Sequence, residues 1–454
     1  MRYMSDEVDR VLSEVASTLD PDPAERQALD EAVDGIIDRT EAAIEELGLN
    51  AEVIHVGSTA RDTWLSGERD IDIFVQFPTD TDRDTLRSRG LDIGRAVLVD
   101  GEANYAEHPY ITGSFDGFDV DVVPCFDVTD ATQARSSVDR TPFHNAYVAG
   151  RLDDRLASEV RLAKHFTGAI GIYGSNLRTR GFGGYLLELL VLEFGRFRDL
   201  LEAVADWRPP VEIDPEEHAT TTFEDDLVVI DPTDPDRNVA AVVTRTNLAR
   251  FQHHARGFLA QPRDDAFAHD TPSSLSSDEL ADELSARETT LLAVVFERPR
   301  MVDDQLFPQL RKTHDGIVDA LDRLGFGVLR SAEMASQAQI AVVIEVETGS
   351  LAKIERHEGP PIYLRDHAQR FYETYAETEV YGPYIEEGRY VIERQRRFTT
   401  PRAFLESEAI FDVKIGEHLE EVLEERYTVY VDEELADLLD DFGVELAAYF
   451  DPQP

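Results

Sequence analysis

Cysteine is nearly absent from this sequence of 454 residues: the one copy, Cys125, excludes an internal disulfide and any zinc site built from several cysteines. Lysine is scarce as well, with only Lys164, Lys312, Lys353 and Lys414 among 44 basic residues. There is no apolar run of about 20 residues to span a membrane, and no basic start followed by an apolar signal core. A cytoplasmic protein is therefore expected. What is abundant is acid: 92 Asp and Glu give a formal net charge of -48 at pH 7. On charge alone such a surface repels phosphate, which favours a protein that avoids nucleic acids. Acids spread along the whole chain, with lysine almost gone, instead fit life in molar salt, where the Debye length is only roughly 3 Å. Long-range repulsion largely vanishes there, so the charge does not exclude an RNA partner. With 42% hydrophobic residues the chain can bury cores, and its length points to roughly two to four domains.

Residues 6–47 carry helical periodicity and stop at "GLN". "AEVIHVGST" and "DIDIFVQF" then read as strands, a helix follows from about Arg83 to Val99, and "HPYITGSF" with "GFDVDVVPCFDV" form two more strands at hairpin spacing. This is a small mixed α/β domain closing near Gly150. Helical patterns run from Leu152 to Arg198 around the turn "GAIGIYGSN", followed by a strand "DLVVID" and a helix over "NVAAVVTRTNLARFQHHARGFL". The stretch around "TPSSLSSDEL" reads as a linker. Beyond it, "TLLAVVFER", a helix from Asp304 to Leu324, "GVLRSA" and "IAVVIEVET" give a β-α-β-β order of RNA-recognition or ferredoxin type. The boundaries that follow are 1–150, 151–262, a linker at 263–285, and 286–454.

The chemistry is carried by "VGSTARDTWLSGERDIDIF", in which Asp70 and Asp72 interrupt an apolar strand. Carboxylates there are costly unless something cationic sits on them. Two apart in a strand, they share one face at a spacing of roughly 7 Å, while Ile71 and Ile73 face the other way. That spacing suits one or two divalent cations with oxygen ligands, magnesium above all, because it binds through one or two carboxylates plus substrate phosphates. Asp119 and Asp121 in "FDVDVVP" repeat the device, and either closes a triad for two-metal phosphoryl or nucleotidyl transfer. Upstream, Gly57 and Ser58 end a strand before a short helix, where glycine lets backbone approach a phosphate. Arg61 is one turn further on.

The ordered set "GSTARDTWLSGERDIDIFVQFP", "VDVVPCFDV", "DRTPFH", "RLAKHFTGAIGIYGS", "RGFGGYLLELLV" and "DPTDPDRNVAA" resembles the archaeal, class I CCA-adding enzymes, tRNA nucleotidyltransferases of the polymerase-β superfamily. The resemblance implies transfer of CMP, CMP and AMP from CTP and ATP to the 3′ end of tRNA without a template. It implies an α+β multidomain fold: a nucleotidyltransferase catalytic head (1–150) with a mixed sheet, a mostly helical neck (151–262), and a ferredoxin-like body and tail (286–454) that bind tRNA. It also implies roles. Gly57, Ser58 and Arg61 would hold the triphosphate, and Asp70, Asp72 and Asp121 would ligate magnesium. His144, Lys164 and Tyr173 would contact the incoming nucleotide, and Arg237 would read its base. The family usually has Glu at the first metal position, where this chain has the shorter Asp70.

Each assignment has a plainer rival. Lys164 could be a solvated helix charge, His144 a turn cap, Tyr173 packing, and Arg237 a surface charge at a helix start. For RNA, "RYVIERQRRFTTPR" sets Arg389, Arg394, Arg396, Arg397 and Arg402 against one glutamate, interleaved with Tyr390 and Phe398, as backbone phosphates and stacking require. An internal salt-bridge network is the alternative. Two other functions stay open: a different polymerase-β-type transferase, acting as a poly(A)-type or small-molecule enzyme, and a non-catalytic RNA-binding protein. The long C-terminal module speaks against the first and the full set of aspartates against the second. Oligomeric state is not legible, and a homodimer is left open.

Overall fold

The structure is a computed structural model that describes residues 2–105, 108–268 and 272–454. Two compact units divide the chain, the first comprising residues 1–270 with Pro454 and the second residues 271–453.

The helical periodicity at the start resolves into two helices, Arg2–Leu19 and Pro23–Glu46. Pro21 and Pro23 cause the break: Pro23 opens the second helix at a position where its missing N–H costs nothing, and Asp22 caps it in a reciprocal box with Glu25. Five strands follow, β1 (Glu52–Val56), β2 (Asp70–Pro78), β3 (Glu102–Tyr105), β4 (Pro109–Phe115) and β5 (Phe118–Asp127), in the order β1-β2-β5-β4-β3. Only β2 and β5 run parallel. One face packs Ile71, Ile73, Val75, Val120 and Val122 against Ile36 and Ile93 of the helices Pro23–Glu46 and Arg83–Val97. Each such side chain gains about 1.5–3 kcal/mol on full burial. A one-residue slip of β2 would exchange Ile71 and Ile73 for Asp70 and Asp72, so the register that hides the isoleucines also fixes the aspartates on the opposite face.

The rest of the first unit is mainly helical: Thr141–Ala149, Asp154–Ala169, Gly184–Phe194, Phe197–Asp206 and Arg245–Ala260. Phe166, Phe182, Phe197, Phe251 and Phe258 form its core, and Val8, Val11 and Leu12 of the first helix pack into that core, not onto the five-stranded sheet. Three short strands join it, β6 (Val211–Ile213), β7 (Leu227–Asp231) and β8 (Asp234–Asn238). The helix expected from Asn238 onward begins only at Arg245, where Thr244 caps it. Asn238 instead ends a hairpin with β7, its amide oxygen accepting from the Val229 and Ala240 N–H groups at 2.9 Å each. Arg237 therefore stands on a strand, not at a helix start.

In the second unit, part of the expected linker is folded: Ser277–Arg287 is a helix with a Ser276–Glu279 capping box, and it buries Leu280. Strands β9 (Thr290–Glu297), β10 (Val328–Ala335) and β11 (Gln339–Val346) surround the helix Asp303–Leu324. A smaller sheet of β12 (Ile354–Pro361), β13 (Tyr381–Glu386) and β14 (Arg389–Gln395) is inserted before β15 (Tyr427–Val431) closes the main sheet. The main order, β10-β11-β9-β15, is antiparallel throughout and has the ferredoxin topology. Its two faces are both packed. Leu306, Leu310 and Leu419 cover one, and Phe442, Leu446 and Tyr449 cover the other. The face on which an RNA-recognition module would stack bases is thus occupied by the C-terminal helix Leu439–Phe450.

Candidate active site

Parallel pairing of β2 with β5 sets Asp70 beside Asp119 and Asp72 beside Asp121. In the next strand Thr112 is the partner of Asp121, and its hydroxyl donates to Asp121 Oδ1 at 2.6 Å. Among the described residues none of Asp70, Asp72 and Asp121 is within ion-pair distance of a basic side chain. Partial burial raises all three carboxyls, and the acids repel one another: Asp119 raises Asp70, while Asp121 and Asp70 help to push Asp72 up to about 6. A group of oxygen donors that repel each other is what a divalent cation stabilises. No three acids or imidazoles among the described residues close into a ready-made cage.

Above this row the chain turns at Gly57, whose φ is +86°. A β-carbon there would lie 2.1 Å from Asp72 Oδ2, so the position needs glycine both for its backbone conformation and for space. Residues Gly57–Ala60 make a single helical turn, steadied by a Thr59 hydroxyl 2.9 Å from His55 Nε2. Gly57 thus lies directly against Asp72, with Ser58 the next residue of the turn.

Arg61 follows but turns toward the helices. Its Nε lies 3.0 Å from Glu188, which is fully buried, and Nη1 donates to Asn145 at 2.9 Å. Thr63 also donates to Glu188, at 2.6 Å, and stands 3.5 Å from Lys164 Nζ. Lys164 is only 2% exposed. Burial lowers its pKa and Glu188 opposes the fall. Tyr173 reaches the same place: a β-carbon at Gly184 would lie 3.4 Å from the Tyr173 hydroxyl and 3.5 Å from Lys164 Cε. Arg61, Lys164 and Tyr173 are therefore gathered around one buried acid, and the solvated-charge reading of Lys164 is excluded by its burial.

A second acid, Asp231 at the end of β7, gathers the other two expected residues. It accepts from His144 Nε2 at 2.8 Å, Arg237 Nη1 at 2.6 Å and the Tyr185 hydroxyl at 3.2 Å, while the amide and hydroxyl of Thr233 complete the shell at 2.9 and 2.8 Å. His144 stacks on Tyr185 with ring centroids 4.1 Å apart. Burial alone would raise the Asp231 carboxyl; the His144 hydrogen bond and charge, helped by Thr233 and Arg237, instead hold it well below the usual carboxylate range.

Sequence reasoning missed Glu188, Asp231 and Thr112. Glu188 carried a signal, an acid set among leucines in the apolar helix "GYLLELLVLEF", of the same kind that marked Asp70 and Asp72.

In the second unit the basic island is mostly paired. Arg394 and Arg396 reach Glu355 at 2.7 and 3.3 Å, and Arg402 reaches Glu406 and Glu434 at 2.7 and 2.9 Å. For these three the internal salt-bridge network is what the structure contains. Among the described residues Arg389 and Arg397 have no carboxylate partner; Arg389 donates to the Gly359 carbonyl and Arg397 lies 5.0 Å from the Phe398 ring centre.

Comparison with known proteins adds to this geometry. Residues 37–144 match the family model of the nucleotidyltransferase domain, residues 158–268 that of the tRNA nucleotidyltransferase second domain, and residues 287–432 that of the CCA-adding enzyme C-terminal domain. The chain is 50% identical to the CCA-adding enzyme of Haloarcula marismortui over 99% of its own length and 100% of that protein. It is 51% identical to that of Halorubrum lacusprofundi, over 99% and 100%. The more distant enzyme of Methanosarcina mazei is 38% identical over 95% of this chain and 96% of its own. With three successive family domains and relatives matched end to end, this chain belongs to the CCA-adding enzyme family.

Proposed function

We propose that the chain adds and repairs the 3′-terminal CCA of tRNA, taking CMP, CMP and AMP from CTP and ATP without a template. One observation carries the mechanism: Asp72 and Asp121 stand side by side across parallel strands, with no cationic partner among the described residues, and Asp72 lies against the Gly57 turn. Asp70, Asp72 and Asp121 would hold magnesium, which fits an all-oxygen donor set shared with substrate phosphates. When bound, the metal supplies charge to clamp the attacking and leaving oxygens in line. Gly57 and Ser58 hold the triphosphate by close backbone approach. Arg61, already bonded to Glu188, contributes its field, which is felt at Asp72. Lys164 and Tyr173 flank the triphosphate from the helical side, and Arg237 and His144, fixed by Asp231, meet the base.

In each cycle the 3′-hydroxyl oxygen of tRNA bonds to the α-phosphorus, the bond from that phosphorus to the bridging oxygen breaks, the hydroxyl proton passes to solvent, and pyrophosphate leaves. Arg389 and Arg397 of the second unit contact the RNA backbone. No described helix is long and apolar enough to cross a membrane, and this reading places the protein with its substrates in the cytoplasm. The test incubates the protein, in molar KCl with magnesium, with tRNA lacking its 3′ end and each labelled nucleotide in turn. Incorporation of CMP and AMP but not UMP or GMP is expected; uptake of all four, or of none, overturns the proposal.

A further inference from the structure

The carboxylate row continues beyond Asp121 along the same sheet face. Thr112 is Asp121's register partner on β4, and Asn104 on β3 reaches Thr112 diagonally, its Nδ2 donating to Thr112 Oγ1 at 2.9 Å. Tyr110, two residues before Thr112, lies on the same face. The direction of the chain of bonds is fixed by chemistry. An ionised carboxylate only accepts, so the single hydroxyl proton of Thr112 points at Asp121, and the threonine oxygen must receive the Asn104 amide proton. With Oδ1 held at 2.6 Å, Oδ2 is the oxygen left for a cation. Thr112 plays no part in the apolar core beneath, which takes Ile111 from the same strand.

We propose that Asn104 and Thr112 form a positioning relay that holds the Asp121 carboxylate in one rotamer for metal binding. This rests on the reading of Asp121 as a metal ligand, and it assigns the short strand β3 a role in the site. Outer partners of a metal ligand typically govern affinity or activity by about 10- to 100-fold. Asp70 and Asp72 have no such hydroxyl partner among the described residues, so the effect belongs to one ligand of the three.

The experiment compares Thr112→Val, which keeps the shape and removes the donor, with Thr112→Ser, which keeps the donor, and with Asp121→Ala. Two readouts are taken in molar KCl: Mn2+ affinity of the protein without nucleotide, by electron paramagnetic resonance, and the magnesium concentration giving half-maximal CMP addition. Thr112→Val should weaken Mn2+ binding and raise the magnesium requirement by about tenfold or more, with turnover recovering at high magnesium. Thr112→Ser should behave as the parent. If Thr112→Val binds Mn2+ as the parent does and needs no more magnesium, while Asp121→Ala abolishes both, the relay is refuted and the metal assignment stands. If Asp121→Ala itself keeps Mn2+ affinity and turnover, the metal assignment falls and the relay with it. A Thr112→Ser variant as impaired as Thr112→Val overturns the relay as well, because the donor would not be what matters.

Discussion

Asp72 and Asp121 on the five-stranded sheet, and Glu188 and Asp231 in the mainly helical part beyond it, are both sets of acids withdrawn from water in the same unit, but their company differs. Asp72 is surrounded by other carboxylates and its pKa is pushed up to about 6. Asp231, fully buried, meets an imidazole, a guanidinium, a phenol and an amide, and is held below the ordinary range. Burial acts in the same direction on both; the partners decide the outcome. An acid whose partners are all protein groups is neutralised within the fold, whereas acids whose nearest charged neighbours are one another are relieved only by a proton or by a cation from outside.

The largest effect should come from breaking the first set. Asp72→Ala or Asp121→Ala should lower nucleotide transfer by about a thousandfold or more while leaving tRNA binding, measured by filter retention, nearly intact. Turnover persisting in either variant would erase the contrast. Next is the scaffold side. Glu188→Ala strands Arg61 and Lys164 in a buried place, and breaking a buried pair costs about 3–5 kcal/mol, to be read from denaturant unfolding in molar KCl. A loss below about 1 kcal/mol would show that the cations do not depend on this acid.

Smaller again is the effect at the second hub. Arg237→Ala should lose discrimination between CTP or ATP and the other nucleotides before it loses turnover, by about 1.5–3 kcal/mol for one charge-assisted bond. Asp231→Asn should shift selectivity the same way, because it removes the charge that both Arg237 and His144 face. Competition between labelled CTP and UTP measures both, and unchanged selectivity would make the hub structural only. The smallest contrast lies among cations of the second unit. Arg402→Ala, which removes exposed ion pairs, should change stability by about 0–1 kcal/mol and leave tRNA affinity alone. Arg397→Ala should weaken tRNA binding a few-fold and flatten its salt dependence. Equal losses of affinity would mean that Arg402 gives up its acid partners to RNA.

These pairings also explain what could be read from the chain alone. Asp70 and Asp72 were legible because a strand has period two, and two acids on one face of an otherwise apolar strand leave few explanations. Glu188 carried a comparable signal but sat in a helix, where one acid in an apolar run marks no partner. The Arg237 hairpin was obscured because "DPTDPD" signals a turn without saying whether a strand or a helix follows, and here the Asn238 side chain decided for the strand. β3, with only four residues, is too short for its alternation to register. The first helix gave a clear amphipathic pattern, yet nothing local could say that its apolar face joins the phenylalanine core of the helical layer rather than the neighbouring sheet. Such choices are made by tertiary packing.

Gly57 ties two positions together in a way that bears on how this site can change over generations. Because a β-carbon at 57 would overlap the Asp72 oxygen, neither residue can drift alone: a larger residue at 57 displaces the carboxylate, and a longer one at 72 has no room under the turn. Asp70 lies two residues away on an exposed stretch of the same strand and is under no such lien. The Gly57 turn therefore leaves position 70 room for a longer side chain that it denies to position 72.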